Sequence, residues 1–354
     1  MACESSGYPS YIFPSSKTDR IVLEAALGAN PNDATAQYLL GTLLFSKESV
    51  DAAMTHWDEA RRLDPHRPVL DADIGNALLR MKNDPQGALA AFREGAHSDP
   101  NNPEIYAGLD GAMSVLGMPA AERAAALSQY PIANSTQLKM PVDLVYQLAL
   151  TRAEAKQFGP ALALFKGRFL ASAEGGISSD EVQFEIERMQ AKAWADEGNC
   201  AAAEGFLESK PTEKGLEDRT ARDYVKLAEI ARTCGRTQEA NGFLEKAVAY
   251  KDSENLVWGI QADEMLGRVS SEEAHKRLAR ALAAAGQGVG SDVSSSSEIA
   301  TSPGEWCYSA GLLNLAHGDK AMAKRLLTRS LALPDSHMSH HLARMALASM
   351  VTGK

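Results

Sequence analysis

Residues 34–67 read ATAQYLLGTLLFSKESVDAAMTHWDEARRLDPHR. Counted as a unit of 34, this stretch places Leu40, Gly41, Leu44, Ala53, Trp57, Ala60 and Pro65 at positions 7, 8, 11, 20, 24, 27 and 32. Apolar residues three and four apart, in two groups separated by a polar stretch, predict two amphipathic helices joined by a turn. A small residue at 8 of the first helix and at 20 of the second lets the backbones approach, while a bulky residue at 24 fills the space beside them. Pro65 stops the second helix. Residues 68–102 repeat the pattern with Ile74, Gly75, Leu78, Ala88, Phe92, Gly95 and Pro100, and with one residue inserted near Asn83-Asp84-Pro85. A period of this length means units that cannot bury their apolar faces alone and must stack.

These positions resemble the tetratricopeptide repeat superfamily. The resemblance implies an all-α fold, a right-handed superhelical α-solenoid of about eight antiparallel helix pairs. Upstream, residues 17–29 followed by Asn30-Pro31 look like a leading half-repeat with Leu23, Ala26 and Pro31 in register. Downstream the pattern weakens at 103–130, where Asp110 stands in place of the small residue, and continues as degenerate pairs at 142–170 and 184–207. It recovers at 221–250, with Tyr224, Leu227, Ala228, Ala231, Gly235, Ala240, Leu244 and Ala247, and again at 255–286 and 303–334. A helix at 337–350 would cap the array. The chain is accordingly divided into an extended segment 1–16, a half-repeat and two well-formed repeats at 17–102, degenerate pairs at 103–213, and two repeats at 214–286. A flexible Gly/Ser loop at 287–302 and the last repeat with its cap at 303–350 complete the division.

The composition fits. Of 354 residues 45% are apolar but only 6% aromatic, which suits close helix packing. A formal charge of −10 opposes binding to a phosphate backbone, so no nucleic acid is expected as partner. No apolar run approaches the ~20 residues needed to cross a bilayer, and Met1-Ala2-Cys3-Glu4 has no basic, apolar leader, so the expectation is a soluble chain, cytoplasmic by default. Cys3, Cys200, Cys234 and Cys307 are far apart and form no CxxC pair; they read as ordinary buried or idle thiols.

No catalytic constellation is found. Gly286-Gln287-Gly288-Val289-Gly290 follows a helix and precedes a serine tract, unlike a phosphate loop, which needs a strand before it. His337, His340 and His341 lack a further ligand and sit on a helix that already serves as a cap. The chain is therefore read as not an enzyme, with no cofactor and no metal.

What remains is a surface. In tetratricopeptide arrays the first helix of each pair lines the groove, and the resemblance carries this onto Tyr38, Phe45, Asn76, Leu79 and Tyr146, then Arg188, Lys192, Arg222 and Arg232. The groove is expected to be apolar first and then locally basic, for a protein or peptide partner with an apolar anchor beside an acidic stretch.

A narrower resemblance lies in Tyr8-Pro9, Phe13-Pro14, 22–26, 30–34, 38–41, Trp57, Leu63-Asp64-Pro65, Leu109-Asp110, Arg168-Phe169 and Glu174-Gly175-Gly176. These look like the tetratricopeptide region of a group of bacterial proteins in which it follows an N-terminal β-sandwich suspected of acting on carbohydrate. Asp71-Ala72-Asp73 departs from the Arg-Asn-Leu-Gly usual in that group, as does Ala173, and no sandwich precedes Tyr8, so no catalytic residue is carried over. The function implied is a non-catalytic protein-interaction scaffold; the alternative is an accessory helical module of a carbohydrate-active enzyme.

Overall fold

The structure is a computed structural model that describes residues 14–47, 49–67, 69–132, 141–168, 170, 178–209, 220–250, 256–288, 303–332 and 337–352. These residues form helices and their connections, with no strand among them. They fall into two compact units, Met1–Leu144 and Val145–Lys354, the division lying inside the stretch whose repeat pattern is degenerate.

The N-terminal unit holds α1 (Lys17–Ala29), α2 (Ala34–Lys47), α3 (Val50–Leu63), α4 (Leu70–Arg80), α5 (Pro85–Ser98), α6 (Pro103–Val115) and α7 (Ala120–Leu127). Local sequence sets where they start. Ser16 and Asp19 cap each other's backbone amides before α1, and Asp84 and Asn102 cap α5 and α6, whose first residue is proline. The small residue at position 8 proves obligatory. A Cβ built on Gly41 of α2 would lie 2.5 Å from Trp57 Cδ1 of α3, and one on Gly75 of α4 would lie 2.6 Å from Phe92 Cε1 of α5. The first helix of each pair thus rests on the ring of the second, and Trp57 and Phe92 are 1% and 0% exposed.

The third pair shows why its pattern weakens. Asp110, in the small-residue position of α6, is fully buried and accepts from Arg123 of α7, with Nε to Oδ1 at 2.8 Å and Nη2 to Oδ2 at 3.4 Å. A buried ion pair here replaces the glycine-on-ring contact, and α7 is short.

The second unit contains α8 (Val142–Glu154, crossing the division), α9 (Phe158–Leu162), α10 (Ser179–Asp196), α11 (Cys200–Ser209), α12 (Ala221–Thr233) and α13 (Thr237–Ala249). It continues with α14 (Leu256–Met265), α15 (Ser271–Gly288), α16 (Pro303–Ala316), α17 (Lys320–Ala332) and α18 (His337–Thr352). Position 20 is fully buried alanine throughout: Ala161, Ala203, Ala240, Ala274 and Ala323 are each 0% exposed. Reciprocal caps Ser178/Glu181 and Thr220/Asp223 open α10 and α12. The first helices pack in succession, α10 on α12, α12 on α14 and α14 on α16, and α18 closes against α16 and α17. Helix α15 runs to Gly288; the remainder of the expected Gly/Ser loop, 289–302, and the side chains of His337, His340 and His341 lie outside the described residues.

One expectation is corrected. Cys200 and Cys234 are not idle thiols but joined in a disulfide, with Cα atoms 5.5 Å apart. Each stands at the turn within its pair, Cys200 two residues after Gly198 (φ 81°) and Cys234 just before Gly235 (φ 75°). Stacking of consecutive pairs brings such turns side by side, and the separation of 34 residues equals the repeat period. Cys307 is a buried thiol of α16.

Candidate functional site

The first helices of each unit present a face of polar and aromatic side chains, and the two faces differ in how their charges are balanced.

In the N-terminal unit the face is carried by α2, α4 and α6. Tyr38 of α2 is buried, and its hydroxyl donates to Asp73 Oδ2 of α4 at 2.8 Å. The Arg67 guanidinium lies 5.3 Å from the Tyr38 ring centroid and is held by Asp64 and Thr35. Burial pushes the Asp73 carboxyl up to about 6; Glu104 of α6 adds to the rise, while the Tyr38 hydrogen bond opposes it. Burial likewise raises the Tyr38 phenol, with the Asp73 charge acting the same way. Among the described residues no cation pairs with Asp73. Its near neighbour Asp71 is balanced instead, by Arg61 at 2.7 Å and by the Ser98 hydroxyl. Phe45, Asn76 and Leu79 are half-buried around this carboxylate's helices, with Phe45 packed on Trp57 at 5.3 Å between ring centroids.

In the second unit α10, α12, α14 and α16 share one connected lane. Glu185 of α10, 2% exposed, accepts from both Arg188 Nε at 3.0 Å and Arg188 Nη2. Arg222 of α12 lies 3.7 Å from Asp223 and 3.5 Å from Glu305 of α16. Lys226 bonds Glu229 at 3.0 and 3.1 Å and sits 5.4 Å from the Trp258 ring centroid of α14, whose Nε1 donates to Ser309 Oγ at 2.8 Å. Electrostatics follow from this mixture. Burial works against the charge of Arg222, but Glu305, Asp223 and Glu185 outweigh it and hold its proton more tightly. For Glu185 burial is likewise overcome, by Arg188, Arg222 and Lys226, and its pKa falls. Lys226 is lowered, burial prevailing over Glu229.

Arg188 and Arg222, expected to form a locally basic stretch, are engaged by carboxylates of the same unit. Arg188 meets Glu185 one turn away on its own helix, and Arg222 meets Asp223 beside it and Glu305 of α16, two pairs on. Lys192 pairs with Asp196 at 2.5 Å, and Arg232 donates to the Met265 carbonyl. Tyr146 is buried and stacked on Phe165 at 6.1 Å. Tyr38, Phe45, Asn76 and Leu79 do fall on adjacent first helices, α2 and α4. Asp73 is not among the positions expected from the sequence, where the acidic triplet Asp71-Ala72-Asp73 is its one signal.

No family model matches the chain, and no curated protein matches it. Among solved structures the chain is similar to a tetratricopeptide repeat protein from Parabacteroides merdae, at 12% identity over 93% of this chain and 99% of that one, with a TM-score of 0.43. It is also similar to PilW, a widely conserved type IV pilus biogenesis factor, at 16% identity over 65% of this chain and 83% of that one, with a TM-score of 0.35. Yeast Tom70 is similar at 15% identity over 94% of this chain and 58% of that one, with a TM-score of 0.33. At these scores it is the helix pairs themselves, and not the likeness, that define the fold: stacked antiparallel pairs, with Gly41 and Gly75 of the first helices set against Trp57 and Phe92 of the second.

Proposed function

We propose that the chain is a non-catalytic scaffold that holds a protein partner on the first-helix face of its N-terminal unit. The observation that carries this reading is the half-buried Asp73 carboxylate, which has a phenol on one oxygen, a like charge in Glu104 nearby, and no cation among the described residues. A lysine or arginine of a partner would supply the missing charge, and the half-buried Phe45 and Leu79 would take its apolar neighbours. A partner chosen for acidity is a weaker fit, since the arginines that would select it already serve Glu185 and Glu305. No described residue favours the accessory-module alternative.

A photo-crosslinking side chain placed at Asn76 on α4, and separately at Lys192 on α10, tests the reading in the source cells. The expected result is a discrete protein adduct from position 76, weakened several-fold when Asp73→Asn is added, and none from 192. Adducts from 192 alone, or from 76 regardless of Asp73, would contradict it.

A further inference from the structure

Cys200 and Cys234 lie at the turn ends of successive helix pairs, with Cα atoms 5.5 Å apart, within the span a disulfide bridges. Both are half-buried, so an exchange partner can reach them. Among the described residues no group of three or more His, Cys, Asp or Glu side chains is placed to hold a metal ion. The joint they span is where α10 and α11 pack on α12. Across the same joint the Glu185 and Arg188 side chains of α10 meet the field of Arg222 and Lys226 of α12.

We infer that this bond forms in the cell, that the chain matures in an oxidising compartment, and that the bridge fixes the register of α10 against α12. This opposes the default cytoplasmic expectation, because the glutathione and thioredoxin systems of most cytosols keep such thiols reduced. The chemistry requires an oxidant of the disulfide-exchange class. The thiolate Sγ of one cysteine attacks the oxidant's disulfide, one oxidant sulfur leaves as a thiolate, and a mixed disulfide forms. The Sγ of the other cysteine then displaces the second oxidant sulfur. Two protons and two electrons leave the protein, and the oxidant's disulfide becomes two thiols.

Source cells quenched in acid, denatured, alkylated with N-ethylmaleimide and digested without reductant test the compartment. A linked peptide pair containing unalkylated Cys200 and Cys234 is expected; N-ethylmaleimide on both would overturn the inference. The purified full chain tests the register. Reductant should lower its thermal midpoint by about 10 °C and leave the Cys200→Ser/Cys234→Ser double variant unmoved. Each single serine variant should melt with the double. Coincident melting of oxidised and reduced wild type would overturn the structural role even if the linked peptide is found.

Discussion

The first-helix face of the second unit is electrostatically closed and that of the N-terminal unit is open at one point. In the former, Arg188, Arg222 and Lys226 each have a carboxylate of their own unit within reach, and burial of all of them is tolerable because they compensate one another. In the latter, Asp71 has Arg61, but Asp73, two residues on, accepts from Tyr38 and pairs with no cation among the described residues. Both faces lie on the first helices of their pairs. The difference teaches that a repeat fold fixes where a side chain stands, while its availability to a partner is decided by what the neighbouring repeats contribute.

The largest expected effect comes from breaking the closed face. Glu185→Ala strands the buried Arg188 beside Arg222 and should cost about 3–5 kcal/mol in chemical denaturation, with Arg188→Met recovering much of it. An unchanged midpoint would show these charges to be solvated and the two faces alike. Next, Gly41→Ala forces a methyl group into the Trp57 ring beneath the open face and should cost about 1–3 kcal/mol, read the same way.

Asp73→Asn should act in the opposite direction. A carboxyl whose folded pKa is raised from 3.8 to about 6 binds its proton more tightly when folded, so stability falls as pH rises through that window. The variant, which keeps an acceptor for Tyr38, should therefore be more stable than wild type by about 1–3 kcal/mol at pH 7. The gain should vanish below about pH 3, where Asp73 is protonated in both states. A pH-independent difference would remove the open carboxylate from the account. The smallest effect is that of Tyr38→Phe, which deletes the hydroxyl that donates to Asp73 and should cost about 1 kcal/mol at pH 7.

Much of the fold was legible in the sequence because the repeat imposes residues by volume. Gly41 and Gly75 could be read as contact points since nothing larger fits against Trp57 and Phe92. Helix α1, from Lys17 to Ala29, was bounded by the same periodic logic with proline after it. Asp110 looked like a defect because its partner Arg123 lies on another helix, and a volume pattern carries no record of charge pairing. The disulfide was not legible for a related reason: stacking joins residues one period apart, and no local spacing such as CxxC marks them. The candidate face was legible in position but not in charge. Arg222 and Glu305 are 83 residues apart in sequence, and only the packing of α12, α14 and α16 shows that they meet.

The contrast between the faces is tested most directly by titrating the Asp73 side-chain carboxyl in the free chain by carbon-13 NMR, with Glu185 followed in the same spectra. A midpoint of about 6 is expected for Asp73 and one below the ordinary glutamate value for Glu185. A midpoint for Asp73 at or below its ordinary 3.8 would mean that a cation already answers it, and that the N-terminal face is as closed as the other.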